Sequence, residues 1–251
     1  FERAIEIDPG YGVAYALLGS LKRAKWRDDP TNSNTLLDES YALATRAVAL
    51  ADNESTCHSL LAQACVALRS FDLALRHMRR AVELNPNNQW NAADMGLVLT
   101  YIGRAEESLV WSARARQIDP YFDEPWYWRQ HGIACMVLGR YREAVALFAR
   151  ARTLGYRGAA MMAGCHARLG DMEHAQACVA ECLSLRPDFS VRHMMSKEPY
   201  KFEADAERVT LKGKPAVRFK GADGKPVIAP LTADGSKCRI TSAKWYGQYA
   251  D

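Results

Sequence analysis

Histidine and cysteine side chains at helical spacing are the first residues in this chain whose types could do chemistry. His174, Cys178 and Cys182 follow one another at intervals of four, which places them on one face of a helix. Cys165 and His166 lie shortly before them in the sequence. Thiolate and imidazole are ligands that zinc prefers, so this set could coordinate a metal ion.

A packing role accounts for the same cysteines more simply. Cys182 stands at a helix position that elsewhere holds Ala81, Ala115 or Ala151, where the pattern requires a small apolar side chain. The seven cysteines are an odd number and none shows C-x-x-C spacing, a usage typical of free thiols in a reducing cytoplasm. We therefore expect no metal site and no other cofactor.

Sequence motifs of catalytic centres are missing. Neither G-x-x-x-x-G-K-[ST] nor G-x-G-x-x-G occurs, and there is no G-x-S-x-G. The acidic pairs Asp28-Asp29 and Glu106-Glu107 are adjacent in sequence, so their carboxylates diverge rather than meet on one substrate. The sequence predicts that the protein is not an enzyme.

A pattern with a period of about thirty-four residues organises the elements that carry these side chains. In its clearest unit, from Pro125 to Tyr156, small and large apolar residues recur at helical spacing on two segments that Gly139 separates. The template fits again, less perfectly, over 12–52, 55–86, 89–120 and 156–187. This period predicts stacked helical hairpins, and an unrelated helical bundle is the alternative.

The motif Trp128-x-x-His131-Gly132-x-x-Cys135, followed by Ala144-x-x-x-Phe148-x-x-Ala151, resembles the tetratricopeptide repeat. The resemblance covers roughly residues 1–190. It implies an all-α fold, a right-handed superhelical solenoid of helix-turn-helix repeats, here followed by a short β-prone C-terminal tail. It also implies a non-catalytic scaffold for protein–protein interaction that binds a peptide or a partner domain in its concave groove.

Composition divides the chain into three predicted segments. Residues 1–195 form the solenoid, with about five repeats and a partial first one, 196–208 connect, and 209–251 form a basic tail that is hairpin-like or disordered. Up to residue 200 arginine outnumbers lysine twenty to three, whereas from 201 onwards lysine outnumbers arginine seven to three. The net charge of +4 comes entirely from residues 201–251, because residues 1–200 contain twenty-three basic and twenty-three acidic side chains.

Nine additional residues interrupt the first complete repeat. The stretch from Trp26 to Asn34 is rich in turn-forming residues and should loop out between two helices. We expect a tolerated surface insertion, with a contact surface as the less favoured alternative.

Motifs near the end of the repeats are similar to the ending of the repeat regions that follow class III adenylate/guanylate cyclase-type domains in some alphaproteobacteria. This similarity implies a cytoplasmic, regulatory module of a larger bacterial signalling protein. No cyclase catalytic domain is present in the sequence given. The motifs are Pro187-Asp188-Phe189-Ser190, Glu198-Pro199-Tyr200-Lys201 and Asp205-x-Glu207-Arg208.

The tail carries a second, weaker resemblance. The stretch from Lys244 to Tyr249, with the basic segment before it, is similar to the N-terminal segment of some tyrosine recombinases but lacks their catalytic residues. It would imply contacts with DNA phosphates, while a solvated lysine-rich tail is the favoured alternative. The candidate nucleic-acid contacts are Lys220, Lys237, Arg239, Lys244 and Trp245.

Function is predicted to lie on the first helix of each hairpin, because these helices line the concave surface of such solenoids. Aromatic side chains there could bind apolar groups of a partner, and Arg129 could pair with a carboxylate of an incoming peptide. Self-association through the end repeats is a third possible role. The sequence contains no run of eighteen apolar residues, so we expect no membrane partner. The predicted groove residues are Arg23, Gln63, Trp90, Tyr101, Trp126, Arg129 and Arg168.

Overall fold

The computed structural model describes residues 1–31 and 33–209, and the backbone alone of 217–220 and 226–229. Within these residues the chain forms thirteen helices and two strands. The helices are α1 (Glu2–Ile7), α2 (Gly12–Asp28), α3 (Thr35–Leu50), α4 (Ser55–Ala67), α5 (Phe71–Leu84), α6 (Gln89–Tyr101), α7 (Ala105–Ile118), α8 (Pro125–Val137), α9 (Tyr141–Phe148), α10 (Gly155–Arg168), α11 (Met172–Leu185), α12 (Val191–Ser196) and α13 (Glu203–Val209).

Five helical hairpins make up the body of the protein. The first helices α2, α4, α6, α8 and α10 each pack on the second helix that follows, and each first helix also contacts the next first helix. Two layers result, an inner one of first helices and an outer one of second helices. The predicted all-α repeat solenoid is confirmed.

Burial distinguishes the two layers. In α6 every residue from Asn91 to Tyr101 is buried, so this helix is covered on all sides. The second helix α5 fully buries only Ala74, Met78 and Ala81, at positions spaced by three or four residues, and its other residues are partly buried or exposed. The inner layer must therefore be covered on its concave side too.

Close approach within a hairpin depends on small residues. Gly132 of α8 lies under the ring of Phe148, the last residue of α9, and a Cβ atom at Gly132 would be 2.6 Å from that ring. The Phe148 side chain is fully buried, so it has little room to move aside. This contact explains why glycine stands at that position in this repeat.

The insertion connects the first complete repeat to the last one. It was expected to loop out over its whole length, but residues 26–28 continue α2 and the loop begins only after Asp28. Trp26 is buried and donates from Nε1 to Oδ1 of Asn34 at 3.1 Å, which fixes the loop. Tyr156 at the start of α10 donates its hydroxyl to Oδ1 of Asp28 at 2.5 Å, and Arg186 donates to the Asp28 carbonyl oxygen at 3.1 Å. The inserted residues thus contact the last repeat, a role for which the sequence offers no periodic signal.

After the last hairpin the chain turns back towards the inner layer. We call residues 191–209, which include α12 and α13, the return segment. Its helix α13 packs on α8, two repeats earlier in the chain. The return segment provides the cover that the inner layer needs.

Two short strands follow, β1 (Val217–Lys220) and β2 (Pro226–Ala229). They pair antiparallel, with Val217 opposite Ala229 and Lys220 opposite Pro226. The other predicted nucleic-acid contacts, Lys237, Arg239, Lys244 and Trp245, lie outside the described residues. None of the described helices has the length and apolar character that a membrane span requires.

The contact between Gly132 and Phe148 predicts a difference between two glycine-to-alanine variants. Gly132→Ala overpacks the hairpin, whereas a Cβ at Gly164 of α10 would be no closer than 3.9 Å to any neighbour. We expect Gly132→Ala to be less stable than Gly164→Ala by about 1–3 kcal/mol, because both gain the same helix propensity and only one must move an aromatic ring. Urea denaturation measures this difference, and equal stabilities would contradict the packing argument.

Candidate functional site

The return segment crosses the carboxyl ends of the first helices in order. Arg69, just beyond the end of α4, donates through Nη1 to the carbonyl oxygen of Tyr200 at 2.9 Å. The backbone N–H of Lys201 donates to the carbonyl oxygen of Tyr101, the last residue of α6, at 2.9 Å. Main-chain groups of the return segment are therefore bound by two adjacent repeats.

The same path continues over the next two repeats. Arg208 donates through Nη1 to the carbonyl oxygen of Val137, the last residue of α8, at 3.0 Å. Arg168, the last residue of α10, donates through Nη2 to the carbonyl oxygen of Glu207 at 2.9 Å. One half of the concave face, at the carboxyl ends of its helices, is thus covered by the protein's own chain.

Arg69 occupies a turn position that glycine fills in the three repeats that follow. Gly103, Gly139 and Gly170 follow α6, α8 and α10 at the same offset, with φ angles of 85°, 73° and 79°. Arg69 has a φ of 59°, and the left-handed conformation costs a residue with a Cβ atom about 1–2 kcal/mol. Its Nη2 donates to the carbonyl oxygen of Glu198 at 3.3 Å, so the contacts with the return segment offset this cost.

A buried carboxylate, that of Glu198, lies at the centre of the covered half. Its oxygens accept a hydrogen bond from the Tyr101 hydroxyl at 2.5 Å and form ion pairs with Arg157 and, at 3.4 Å, with Arg27. Burial alone would raise the pKa of Glu198, but the two guanidinium groups and the hydroxyl lower that pKa to about 2. Glu198 is therefore ionised at neutral pH inside the protein.

Two further arginines face the same interior without a carboxylate in contact. Arg23 donates through Nη2 to Oε1 of Gln63, a neutral partner. The buried Nε of Arg129 has no hydrogen-bond partner among the described residues. Burial, assisted by the charge of Arg27, lowers the pKa of both Arg23 and Arg129 to about 10, so both remain positively charged at neutral pH.

Asp94 of α6 is the second acidic group of this interior. Its Oδ2 accepts a hydrogen bond from the Ser59 hydroxyl at 2.5 Å. Burial raises the pKa of Asp94 to about 6, although Ser59 and the charge of Arg23 act in the opposite direction. The negative charge of Asp94 therefore compensates the positive charge of its neighbour Arg23 only in part.

Aromatic side chains lie at the opposite, amino-terminal ends of the same helices. Trp90 of α6 stacks on Trp126 of α8, with ring centroids 5.6 Å apart and planes inclined by 19°. Phe122 meets Trp90 edge to face at 5.0 Å. Trp90 remains 42% exposed, and the Asn88 side chain holds it in place by accepting its backbone N–H at 2.8 Å.

The seven residues predicted for the groove thus fall into three groups. Trp90 and Trp126 form the exposed stack, and Arg23, Gln63 and Arg129 face the interior. Tyr101 is buried against Glu198, and Arg168 lies over the ring of Tyr141 at 5.7 Å beside the return segment. Among the residues of the site that were not predicted are Arg27, Arg69, Arg157 and Glu198.

Signals for these four residues differ. Arg27 follows Arg23 by four positions on the same helix and so shares its face, which the sequence could have revealed. Glu198 lies in a segment without helical periodicity, and its partner Arg27 is 171 positions away. No local pattern indicates such a pair.

The residues considered for metal binding form two separate arrangements. Ligand atoms of His166, Asp171 and His174 lie within 4.8 Å of one another and could hold a divalent ion. Each imidazole Nδ1 instead shares a hydrogen bond with the Asp171 carboxylate, at 3.0 and 2.9 Å. Cys165 and Cys182 are buried, and burial raises the pKa of both thiols to about 12, so they remain protonated.

Comparisons with known proteins identify the repeats. A tetratricopeptide-repeat family model matches residues 56–88 and 156–189, which contain the hairpins α4–α5 and α10–α11. TTC0263 of Thermus thermophilus, a thermophilic TPR protein, superposes with a TM-score of 0.54 at 18% identity, over 64% of this chain and 89% of its own. The pilF structure of Pseudomonas aeruginosa gives 0.50 at 16% identity, over 78% and 84%. No curated protein sequence matches the chain.

These matches confirm that the chain contains tetratricopeptide repeats. At this level of identity the two structures are evidence for the fold and for nothing more. The concave face described above therefore rests on the geometry of this chain.

Removal of the buried carboxylate is expected to destabilise the whole body. Glu198→Gln leaves Arg27 and Arg157 without their shared partner, and breaking a buried ion pair in this way costs about 3–5 kcal/mol. Glu83→Gln removes an exposed carboxylate that lies 3.6 Å from Arg80 and should change stability little. Guanidinium denaturation compares the two variants, and similar small losses would show that Glu198 is not a structural link.

Asp94 is expected to make stability depend on pH. Its pKa is about 6 in the folded chain against an ordinary value of 3.8, so the folded state holds the proton more tightly. The stability that this proton provides is complete below pH 4 and is lost as pH rises through 6. Asp94→Asn should therefore gain stability over the wild type between pH 4 and 6, by at most about 1.4 kcal/mol per pH unit.

Thermal unfolding of Asp94→Asn at pH 4, 5, 6 and 7 tests this sign. The control is Asp72→Asn, which changes an exposed aspartate in the first turn of α5. A parallel pH dependence of Asp94→Asn and wild type would contradict the raised pKa.

Proposed function

We propose that this chain is a non-catalytic scaffold for protein–protein interaction, which binds an extended segment of a partner on its concave face. Its tetratricopeptide repeats support the general role. The observation that supports this role most directly is that the concave face already binds a polypeptide, the chain's own return segment. It holds the return segment through main-chain hydrogen bonds at successive repeats and through a buried carboxylate.

The partner is proposed to dock on the half of this face that the return segment leaves open. The exposed Trp90 stacks there on the partly buried Trp126, and tryptophan is enriched at binding hot spots. Arg129 follows Trp126 by three positions on α8, so both lie on one face of that helix. The open half thus combines an apolar platform with a nearby positive charge.

The wider context is proposed to be a cytoplasmic bacterial signalling protein. The similarity of residues 187–208 to the endings of cyclase-associated repeat regions supports a regulatory module. Free, buried cysteines support a reducing compartment. The scaffold would then join a signalling domain to the partner that it recognises.

The exposed stack yields a binding test. Trp90→Ala removes the outer ring of the stack, and truncation of a hot-spot aromatic lowers affinity by about thirty-fold or more. The full chain is used to capture a partner from bacterial lysate, and the purified partner is then titrated by calorimetry. Trp90→Ala should lose this binding while its circular dichroism spectrum stays that of the wild type.

Val110→Ser is the matched control. Val110 is 68% exposed on the second helix α7, so its replacement removes apolar surface from the outer layer instead. Equal binding by wild type and both variants would refute the concave site. Self-association would be favoured if light scattering showed a mass that rises with concentration and that Trp90→Ala does not change. The basic tail would be favoured if binding were lost only on removal of residues 209–251.

A further inference from the structure

Three side chains that can bind a metal ion converge at the turn of the last hairpin. His166 lies in the last turn of α10, Asp171 directly precedes α11, and His174 lies in the first turn of α11. Nδ1 of His166 is 3.0 Å from one carboxylate oxygen of Asp171, and Nδ1 of His174 is 2.9 Å from the other. Both imidazoles thus present a ring nitrogen to the same carboxylate.

The backbone of this turn recurs in four hairpins, but the side chain at its first position does not. In each hairpin the residue just before the second helix donates its N–H to the carbonyl oxygen five positions earlier, at 2.8 or 2.9 Å. The accepting residue is Cys65, Leu99 or Cys135 in the earlier hairpins, and these side chains are buried and apolar. In the last hairpin it is His166. An imidazole at such a core position needs a polar partner, and the turn itself supplies one.

The other two positions of the turn differ as well. In the hairpin of α6 and α7 they carry the ion pair of Arg104 and Glu107, with Nε 2.6 Å from Oε1. A guanidinium group repels a cation, so that turn cannot hold one. The last hairpin carries Asp171 and His174 at the same two positions. Of the four hairpin turns compared, it alone has a possible ligand at all three positions.

We propose that His166, Asp171 and His174 form a binding site for a divalent transition-metal ion such as zinc. Two imidazole nitrogens and one carboxylate oxygen are a donor set that zinc binds in proteins, with water in the open position. Zinc–ligand bonds of about 2.0–2.2 Å place neighbouring ligand atoms about 3.0–3.4 Å apart. The present separations need only small side-chain shifts to reach this range. The site is independent of the proposed binding of a partner.

Binding of the ion requires a change of tautomer but no net loss of a proton. Each Nδ1 that donates to Asp171 must offer its lone pair to the metal instead. A neutral imidazole can do so by carrying its proton on Nε2. The Asp171 carboxylate then loses two hydrogen bonds, and the charge of the ion replaces them.

The site is open to solvent on one side and anchored on the other. The side chains of His174 and Asp171 are 68% and 38% exposed, so an ion can enter with part of its water shell. The His166 side chain is only 11% exposed and stacks on the His174 ring, with centroids 5.2 Å apart. One buried ligand on α10 is thus fixed in position, and two exposed ligands can close around the ion. A bound ion would join the two helices of the last hairpin.

The neighbouring cysteine is a poorer ligand than this set. Cys178 follows His174 by four positions on α11, but its thiol is buried. It would have to lose its proton and leave the core before it could bind an ion. The carboxylate of Asp171 is already ionisable, accessible and close to both imidazoles, so it takes the place that a thiolate would otherwise fill.

Calorimetric titration of the full, untagged chain with Zn²⁺ tests the site, after prior removal of metal with a chelator. Wild type should bind one ion per chain and melt at a higher temperature with zinc, because ligand binding stabilises the folded state. Asp171→Asn removes the anionic ligand but keeps the cap of α11, since asparagine caps helices as well as aspartate does. This variant and His174→Gln should each lose at least about ten-fold in zinc affinity. Their circular dichroism spectra should stay those of the wild type.

Glu181→Gln is the matched control, because it removes an exposed carboxylate from the same helix, about two turns beyond the site. It should bind zinc as tightly as the wild type. A wild type that binds no zinc would overturn the proposal. So would Asp171→Asn and His174→Gln variants that bind zinc with undiminished affinity.

Titration with Co²⁺ in place of zinc identifies the ligands directly. Imidazole and carboxylate ligands give weak visible bands, whereas a thiolate ligand adds an intense charge-transfer band in the near ultraviolet. We expect the visible bands alone, and we expect them to be lost in His174→Gln. A charge-transfer band would assign the ion to the cysteines and overturn the site. A stoichiometry of one ion per two chains would also overturn it, because the ion would then lie between copies.

Discussion

The ionised carboxylate of Glu198 is the interaction on which the arrangement of this solenoid depends. It connects Arg27 from the first complete repeat, Tyr101 from the third and Arg157 from the fifth. A charge of this kind is stable in the interior only because its partners surround it, so the repeats must be held at fixed separations. The strained turn at Arg69 and the main-chain contacts of Lys201 follow from the same requirement.

The return segment covers the carboxyl ends of the first helices and leaves part of their amino ends exposed. At the carboxyl ends of the first helices, the return segment forms hydrogen bonds with successive repeats. At the amino ends, the stack of Trp90 on Trp126 remains exposed to solvent. Glu198 forms its ion pairs with Arg27 and Arg157 and acts on Arg129 only through the longer-range attraction of its charge.

Much of the fold could be predicted from the sequence because the same spacing of small and large apolar residues recurs in each repeat. The spacing of Gly132, Ala144 and Phe148 specifies one hairpin, and the same spacing elsewhere specifies its neighbours. Helix geometry alone places Arg23, Trp90, Trp126 and Arg129 on first helices of the hairpins.

The covering of the concave face could not be predicted in this way. Glu198 and Arg157 are each single residues whose importance lies in a contact across the solenoid, and periodicity carries no information about such contacts. The insertion from Trp26 to Asn34 is similar, because turn-forming residues predict a loop but not the repeat that the loop touches. Exposure of Tyr101 was expected from its helix position, and a segment with no repeat signal buries it.

Contact between the inserted loop and the last repeat has a consequence for how the molecule unfolds. An open array of repeats behaves as a one-dimensional chain, in which the terminal units fray first and independently. Here Asp28 is bonded to Tyr156 and Arg186, so neither end is free and the loss of one terminal repeat removes support from the other. The array becomes a closed loop of interfaces, and its cooperativity approaches that of a single globular unit.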